Sequence, residues 1–281
     1  MPAAMIESLR LEYDRLGNGD VAVLVSGTGM PPVAWDICGV RNALVDAGYE
    51  VITYAARGVA PSDAPPPPYA IAEMAHDLVG LLAYLGISRS VFVGYSLGGF
   101  TVEHLAYAYP DLVEAAVLIA SAGPSTPVLR AAVETETALI AELGYLPAAF
   151  SRFETLHSTL SAVVLRDDEP TTATWWDLLA AQASAWTSAQ GACGQAAAAY
   201  GWVHDAHRME RLREIRSPVL VIAFEHDLYF PPRAGRIAAS LLPDSEFVEI
   251  AEAGHGGLMT HSKQCIEVLR SFLKDRRSAE I

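Results

Sequence analysis

Apolar residues along this chain gather in short runs that alternate with helical patterns. Residues 21–25 (VAVLV), 50–54 (EVITY), 90–95 (SVFVGY), 115–120 (AAVLIA), 218–224 (PVLVIAF) and 246–251 (EFVEIA) are rich in Val and Ile and lack an apolar/polar alternation. That pattern predicts strands buried on both faces, as in a parallel sheet. Residues 9–14 (LRLEYD) do alternate and predict a strand at the sheet edge. Between the runs, 35–47, 71–85, 97–109, 232–241 and 258–273 read as helices. Asp36 is placed to cap the first of them, and Gly48 and Gly86 follow two others, where a helix end accepts a left-handed residue. Strand and helix in alternation predict βαβ units, hence an α/β fold with a mostly parallel sheet flanked by helices.

The rhythm breaks after the run at 115–120. Residues 124–213 are mostly helical, hold Trp175, Trp176, Trp186 and Trp202, and include an Ala-rich run at 180–199. The strand pattern resumes at Pro218, so this excursion is expected to be a helical cap inserted into a core made of residues 1–123 and 214–281. The four prolines at 65–68 predict a stiff, extended loop.

Composition narrows the function. The 281 residues are 52% hydrophobic, enough for one large core. A net charge of −14 argues against a nucleic-acid partner. The basic tail Lys274-Asp275-Arg276-Arg277 reads as a solvated helix end. Cys38, Cys193 and Cys265 are too few and too scattered for a disulfide framework or a zinc site, and read as packed thiols. No signal-peptide pattern or membrane span is visible, which fits a soluble, cytoplasmic protein, monomeric or homodimeric, acting on a small molecule.

The chemistry centres on Gly94-Tyr95-Ser96-Leu97-Gly98. A chain of this length carries G-x-S-x-G by chance about one time in ten, so its setting decides. It closes an apolar strand run and opens a helix, the context in which a sharp turn lifts a serine above a sheet. Such a hydroxyl needs a base and an orienting carboxylate, in the chain order Ser, acid, His. Asp227 lies just past the run at 218–224, with Glu225 as competitor. His255 lies in Ala253-Gly254-His255-Gly256-Gly257, after the last strand run, where flanking glycines suit a loop reaching toward the serine. The other seven histidines lack that combination of order and setting. Two amides are needed for an oxyanion: Leu97 supplies one, and the loop Ser26-Gly27-Thr28-Gly29-Met30 the other, with Thr28 preferred over Gly29 and Met30. Gly29, Met30, Tyr95, Trp176 and Trp186 are candidates to line the substrate pocket. No metal-ligand or phosphate-loop motif is present, so neither metal nor organic cofactor is expected.

Taken in order, Ser26 to Gly29, Arg57 to Asp63, Gly94 to Gly99, Pro218 to Pro231 and Gly254-His255 resemble the landmarks of the α/β-hydrolase superfamily over nearly the whole chain. The resemblance is to its branch of small esterases, thioesterases, lactone hydrolases, carbon–carbon bond hydrolases and haloperoxidase-like proteins, which carry a helical cap after the sixth strand. It implies a serine hydrolase cleaving a carboxylic ester or thioester of a small apolar, aromatic or polyketide-like metabolite through an acyl-enzyme. An acyltransferase or cyclase, a carbon–carbon bond hydrolase, and a non-catalytic binding protein on the same fold are the alternatives. The chain departs from the family at Ser26, where His is usual, and at Ala60, where Gly is usual. The serine also argues against epoxide and haloalkane hydrolases of this fold, which use an Asp nucleophile.

Overall fold

The computed structural model describes residues 2–181 and 185–279, with side chains described to residue 275. The Arg276 and Arg277 side chains of the basic tail, and residues 182–184 of the Ala-rich run, therefore lie outside the described residues. The strands are β1 (Ala3–Ile6), β2 (Leu9–Leu16), β3 (Asp20–Val25), β4 (Tyr49–Tyr54), β5 (Ser90–Tyr95), β6 (Val113–Ile119), β7 (Val219–Phe224) and β8 (Ser245–Ile250). They form one sheet in the order β1-β2-β4-β3-β5-β6-β7-β8. β2 runs antiparallel to both β1 and β4, and every other pairing is parallel.

Successive residues of a strand face opposite sides, and each side has its own apolar core. Val23, Ile52, Phe92, Leu118 and Val221 pack with Leu78, Leu81 and Leu105 on one face. Their chain neighbours Leu24, Val51, Val93, Ile119 and Ile222 pack with Trp35, Leu44, Leu269 and Phe272 on the other. This explains the unbroken apolar runs: both faces of the central strands are covered, and each Val, Leu or Ile so buried contributes about 1.5–3 kcal/mol.

The helices of the first face are α3 (Ile71–Leu85) and α4 (Leu97–Ala108), and those of the second include α1 (Ala34–Ile37), α2 (Val40–Asp46), α12 (Gly257–Thr260) and α13 (Ser262–Ala279). α11 (Pro232–Leu241) packs on β7 and β8. The helix expected over 35–47 is divided into α1 and α2 at Gly39, whose φ is 78°. Asp36 is not the cap: Val33 holds that position, and Asp36 lies in the first turn, 3.3 Å from Arg41 Nη1.

Two strand expectations exchange places. The alternating run at 9–14 is not the edge, because β1 pairs outside it. The edges are β1 and β8, and in β8, expected to be fully covered, only Ile250 is buried. The four-residue β1 is too short to announce itself by pattern.

Between β6 and β7 run α5 (Pro127–Leu143), α6 (Ala148–Thr159), α7 (Ala162–Asp167), α8 (Glu169–Ala181), α9 (Ala189–Val203) and α10 (Arg208–Arg211). α9 is the inner helix: ten of its residues are buried, against none in α7 or α8. Its small residues let it approach the core loops closely. Arg208 of α10 reaches Glu103 of α4 at 3.2 Å, with both side chains 4% exposed, and donates to the Gly123 carbonyl. All three cysteines are buried free thiols. No helix among the described residues is long and apolar enough to cross a membrane.

Candidate active site

Ser96 stands at the junction of β5 and α4, with φ 53° and ψ −122°. L-residues rarely adopt this conformation, which stores on the order of 1–3 kcal/mol of strain. The crowding around the turn explains its glycines. A Cβ on Gly94 would lie 2.5 Å from the Gly98 carbonyl oxygen, and one on Gly98 would lie 2.0 Å from that of Val25. The turn therefore presses α4 against the end of β3 and holds the hydroxyl at the helix N-terminus.

His255 meets this serine: its Nε2 lies 3.0 Å from Ser96 Oγ. Its Nδ1 lies 2.8 Å from Asp227 Oδ2. A carboxylate only accepts, so Nδ1 carries the proton and donates, and Nε2 is left to accept from the serine hydroxyl. Asp227 is 3% exposed, and its other oxygen accepts from the amides of Tyr229 at 2.8 Å and Phe230 at 3.0 Å. Those bonds fix the carboxylate plane. Glu225 instead accepts from the Glu252 amide at 2.8 Å and lies on the exposed side of the loop. The structure thus joins the three residues that the sequence pattern singled out.

The imidazole is held by aromatic rings. Tyr95 stacks on it with centroids 5.5 Å apart, and Phe230 with centroids 5.6 Å apart. Tyr229 meets it edge-on at 5.3 Å. The Tyr95 hydroxyl donates to the His255 carbonyl at 3.0 Å, and burial pushes its ionisation far up. Tyr95, a candidate for the pocket lining, is thereby placed against the His255 ring and main chain. The glycines beside His255 also have a role other than the expected reach. The His255 amide donates to the Ser158 carbonyl at 2.9 Å, and a Cβ on Gly254 would lie 2.7 Å from the Thr159 carbonyl oxygen. They leave room for the end of α6 to clasp the loop.

The loop after β3 passes the nucleophile: a Cβ on Gly27 would lie 3.3 Å from the Ser96 Cβ. Of its candidate donors, Met30 N–H is taken by the Gly27 carbonyl at 3.1 Å, and Gly29 N–H by Gln195 Oε1 at 3.0 Å. The amides of Thr28 and Leu97 have no hydrogen-bond partner among the described residues. Ser26, in the place where the family usually has His, accepts from the Trp35 indole N–H at 3.0 Å and is 3% exposed. That buried bond anchors the start of the loop. The Trp186 ring lies on Gly29, where a Cβ would be 2.6 Å from it. Trp176 has another setting, 40% exposed on α8, with the Arg152 guanidinium 5.4 Å from its ring centre.

The sequence pattern did not reveal a carboxyl pair on the helices between β6 and β7. Glu136 of α5 lies beside Glu154 of α6, and the Tyr229 hydroxyl donates to Glu154 Oε1 at 2.8 Å. Burial first, and the Glu154 charge second, push the Glu136 carboxyl up to about 8. The unfolded chain releases this proton near 4.5, whereas the folded chain keeps it to about 8. The pair's contribution is therefore complete at low pH and is lost as pH rises across that window. Glu136→Gln is expected to match the parent at about pH 4 and to be more stable at about pH 8 by at least ~1 kcal/mol, about one pKa unit's worth. Thermal melts across this range test it, and a constant offset between the two proteins refutes it.

Among the described residues no group of three or more His, Cys, Asp or Glu is disposed to hold a metal ion. The remaining histidines pack or pair elsewhere: His104 lies against Trp202 with its protonation disfavoured by burial, and His204 lies 3.1 Å from Glu134.

Known proteins share this design. BpoC of Mycobacterium tuberculosis, which is named for non-heme bromoperoxidase activity, is 31% identical over 89% of this chain and 92% of its own. Its crystal structure superposes with a TM-score of 0.83, covering 95% of this chain and 96% of that one. RutD of Caulobacter vibrioides, named for carbamate hydrolysis, is 26% identical over 92% of each chain. The enol-lactonase of Burkholderia xenovorans shares the fold at a TM-score of 0.81 and 24% identity, covering 97% of this chain and all of that one. The family described as alpha/beta hydrolase fold matches residues 23–262. With that match spanning most of the sequence, and the sheet order and elbow serine beside it, the chain belongs to the α/β-hydrolase family.

Proposed function

We propose that this protein is a serine hydrolase that cleaves a carboxylic ester or thioester of a small, largely apolar metabolite through an acyl-enzyme. The observation that carries the reading is the continuous chain from Ser96 Oγ to His255 Nε2 at 3.0 Å and from His255 Nδ1 to Asp227 at 2.8 Å. His255 takes the hydroxyl proton as Ser96 attacks the carbonyl carbon. The developing oxyanion is received by the Leu97 and Thr28 amides. His255 then protonates the leaving alcohol or thiol, and water activated by the same imidazole releases the acid. Asp227 keeps the proton on Nδ1 and stabilises the imidazolium. Met30 of the oxyanion loop and Trp186, whose ring packs on Gly29, favour an apolar acyl group. The residues of 124–213 act as the cap, the remainder as the core.

A second reading keeps the triad and changes the carbonyl: the likeness to RutD favours a carbamate. In either case the partner is a small molecule, with the net charge of −14 disfavouring nucleic acid, and no metal or organic cofactor enters the steps. Cytoplasmic location and a monomeric or homodimeric state complete the proposal. The test is a fluorophosphonate probe followed by intact mass, alongside aryl esters of rising acyl length, an acyl thioester, an aryl carbamate and a vinylogous diketone. One probe equivalent on Ser96 and turnover of the esters or thioester are expected. Well-folded protein that takes no probe and turns over nothing would leave a binding protein on a hydrolase fold.

A further inference from the structure

Gln195 is a polar side chain with no exposed surface, in the innermost helix of the cap. A buried primary amide is costly unless both of its ends are satisfied. Here each end meets main chain of a different loop. Oε1 accepts from the Gly29 amide at 3.0 Å, and Nε2 donates to the Arg57 carbonyl at 3.0 Å. Gly29 follows β3 and lies in the loop beside Ser96, while Arg57 follows the neighbouring strand β4.

We propose that Gln195 is a positioning residue for the oxyanion loop, an inference that rests on the serine-hydrolase reading above. The loop from Gly27 to Met30 carries three amides beyond Gly27. The turn uses that of Met30, and Gln195 uses that of Gly29. The Thr28 amide is thus left free by assignment of the other two. Holding Gly29 N–H also fixes the plane of the peptide between Thr28 and Gly29. Gly29 has φ +60°, a conformation in which glycine moves readily, so this plane needs an external hold. The Arg57 carbonyl, taken from a loop whose guanidinium pairs with Asp77 at 2.6 Å, gives the glutamine a rigid base. Gln195 touches neither the nucleophile nor the base; it acts through the loop.

The experiment compares the full-length wild type with Gln195→Met, Gln195→Glu and Thr187→Val. Thr187→Val removes a different bond between the cap and the same core loop, Thr187 Oγ1 to the Ser62 carbonyl at 2.6 Å. Each protein is assayed for kcat and KM on an aryl ester, and for the second-order rate of fluorophosphonate labelling. Gln195→Met is expected to lower kcat and labelling roughly 30- to 100-fold, with KM within about threefold, since a displaced oxyanion donor acts on the transition state. Gln195→Glu keeps the acceptor for Gly29 and regains the donor for Arg57 when protonated, so its kcat relative to wild type should rise as pH falls. It also serves if the Met variant fails to fold. Thr187→Val should stay within about threefold of wild type on both measures. A labelled wild type with equally fast Gln195 variants overturns this assignment alone, as does a Thr187→Val loss as large as that of Gln195→Met. A wild type that takes no label overturns the hydrolase reading and this assignment with it.

Discussion

Replacement of His255 by Ala is expected to abolish fluorophosphonate labelling of Ser96 and to lower ester turnover by roughly 10⁴- to 10⁶-fold. The reason lies in the geometry of a single ring. With Nδ1 committed to Asp227 at 2.8 Å, Nε2 is the acceptor that faces the serine hydroxyl at 3.0 Å. Without it, a hydroxyl of ordinary acidity confronts the carbonyl, and the residual rate is what the free amides and binding supply. The variant should fold, because the ring is one member of a stack in which Tyr95 and Phe230 remain. His226→Ala is the control: that ring lies 3.9 Å from Glu225 and 35% exposed, outside the chain of proton transfer. Mass spectrometry after probe treatment decides the matter. A labelled His255→Ala, or equal losses in both variants, would remove His255 from the role of base.

Gly98→Ala is expected to be the most destabilising single methyl in the elbow. The added carbon would sit 2.0 Å from the Val25 carbonyl oxygen and 2.6 Å from that of Ser26. Neither can withdraw, since Val25 is hydrogen-bonded into the sheet between β4 and β5 and Ser26 is anchored on Trp35. Separation of α4 from β3 is the remaining response, and it would open the core beneath the nucleophile. A cost of about 4 kcal/mol or more follows, lowering Tm by roughly 10 °C. Gly201→Ala sets the baseline, for that glycine lies in α9 with open space at the Cβ position and should be neutral or slightly stabilising. Thermal melts of the two variants side by side check the contrast. Similar melting temperatures would mean that the turn is not packed as described.

The triad was legible because each member announces itself locally. Ser96, Asp227 and His255 each follow a strand, and strand runs are visible one at a time. Leu97 and the loop that holds Thr28 likewise follow strands, β5 and β3. What escaped depends on distant partners. Gln195 and Gly29 are separated by 166 positions, and nothing in an Ala-rich helix marks one glutamine as the clasp of a remote loop. Glu136 and Glu154 occupy separate cap helices and gain meaning only when α5 and α6 bring them together. Tyr95 looked like pocket lining by its place beside the serine, while its ring and hydroxyl serve the base. The edge of the sheet was misread in both directions, because pairing outside β2 and exposure of β8 are decided by topology rather than by the composition of either run.

The helical insertion between β6 and β7 grips the main chain of the loops that carry His255 and Gly29, and this bears on its value as an exchangeable part. The His255 amide is held by the Ser158 carbonyl of α6, and the Gly29 amide by Gln195 of α9. A chimera that brought in a foreign cap to alter selectivity would have to reproduce both clasps, or it would loosen base and oxyanion donor together. The useful crossover points for recombination are therefore not the ends of the helical excursion alone. The modular unit is the helical insertion together with the loops it grips, and directed evolution is better confined to positions that leave those grips intact.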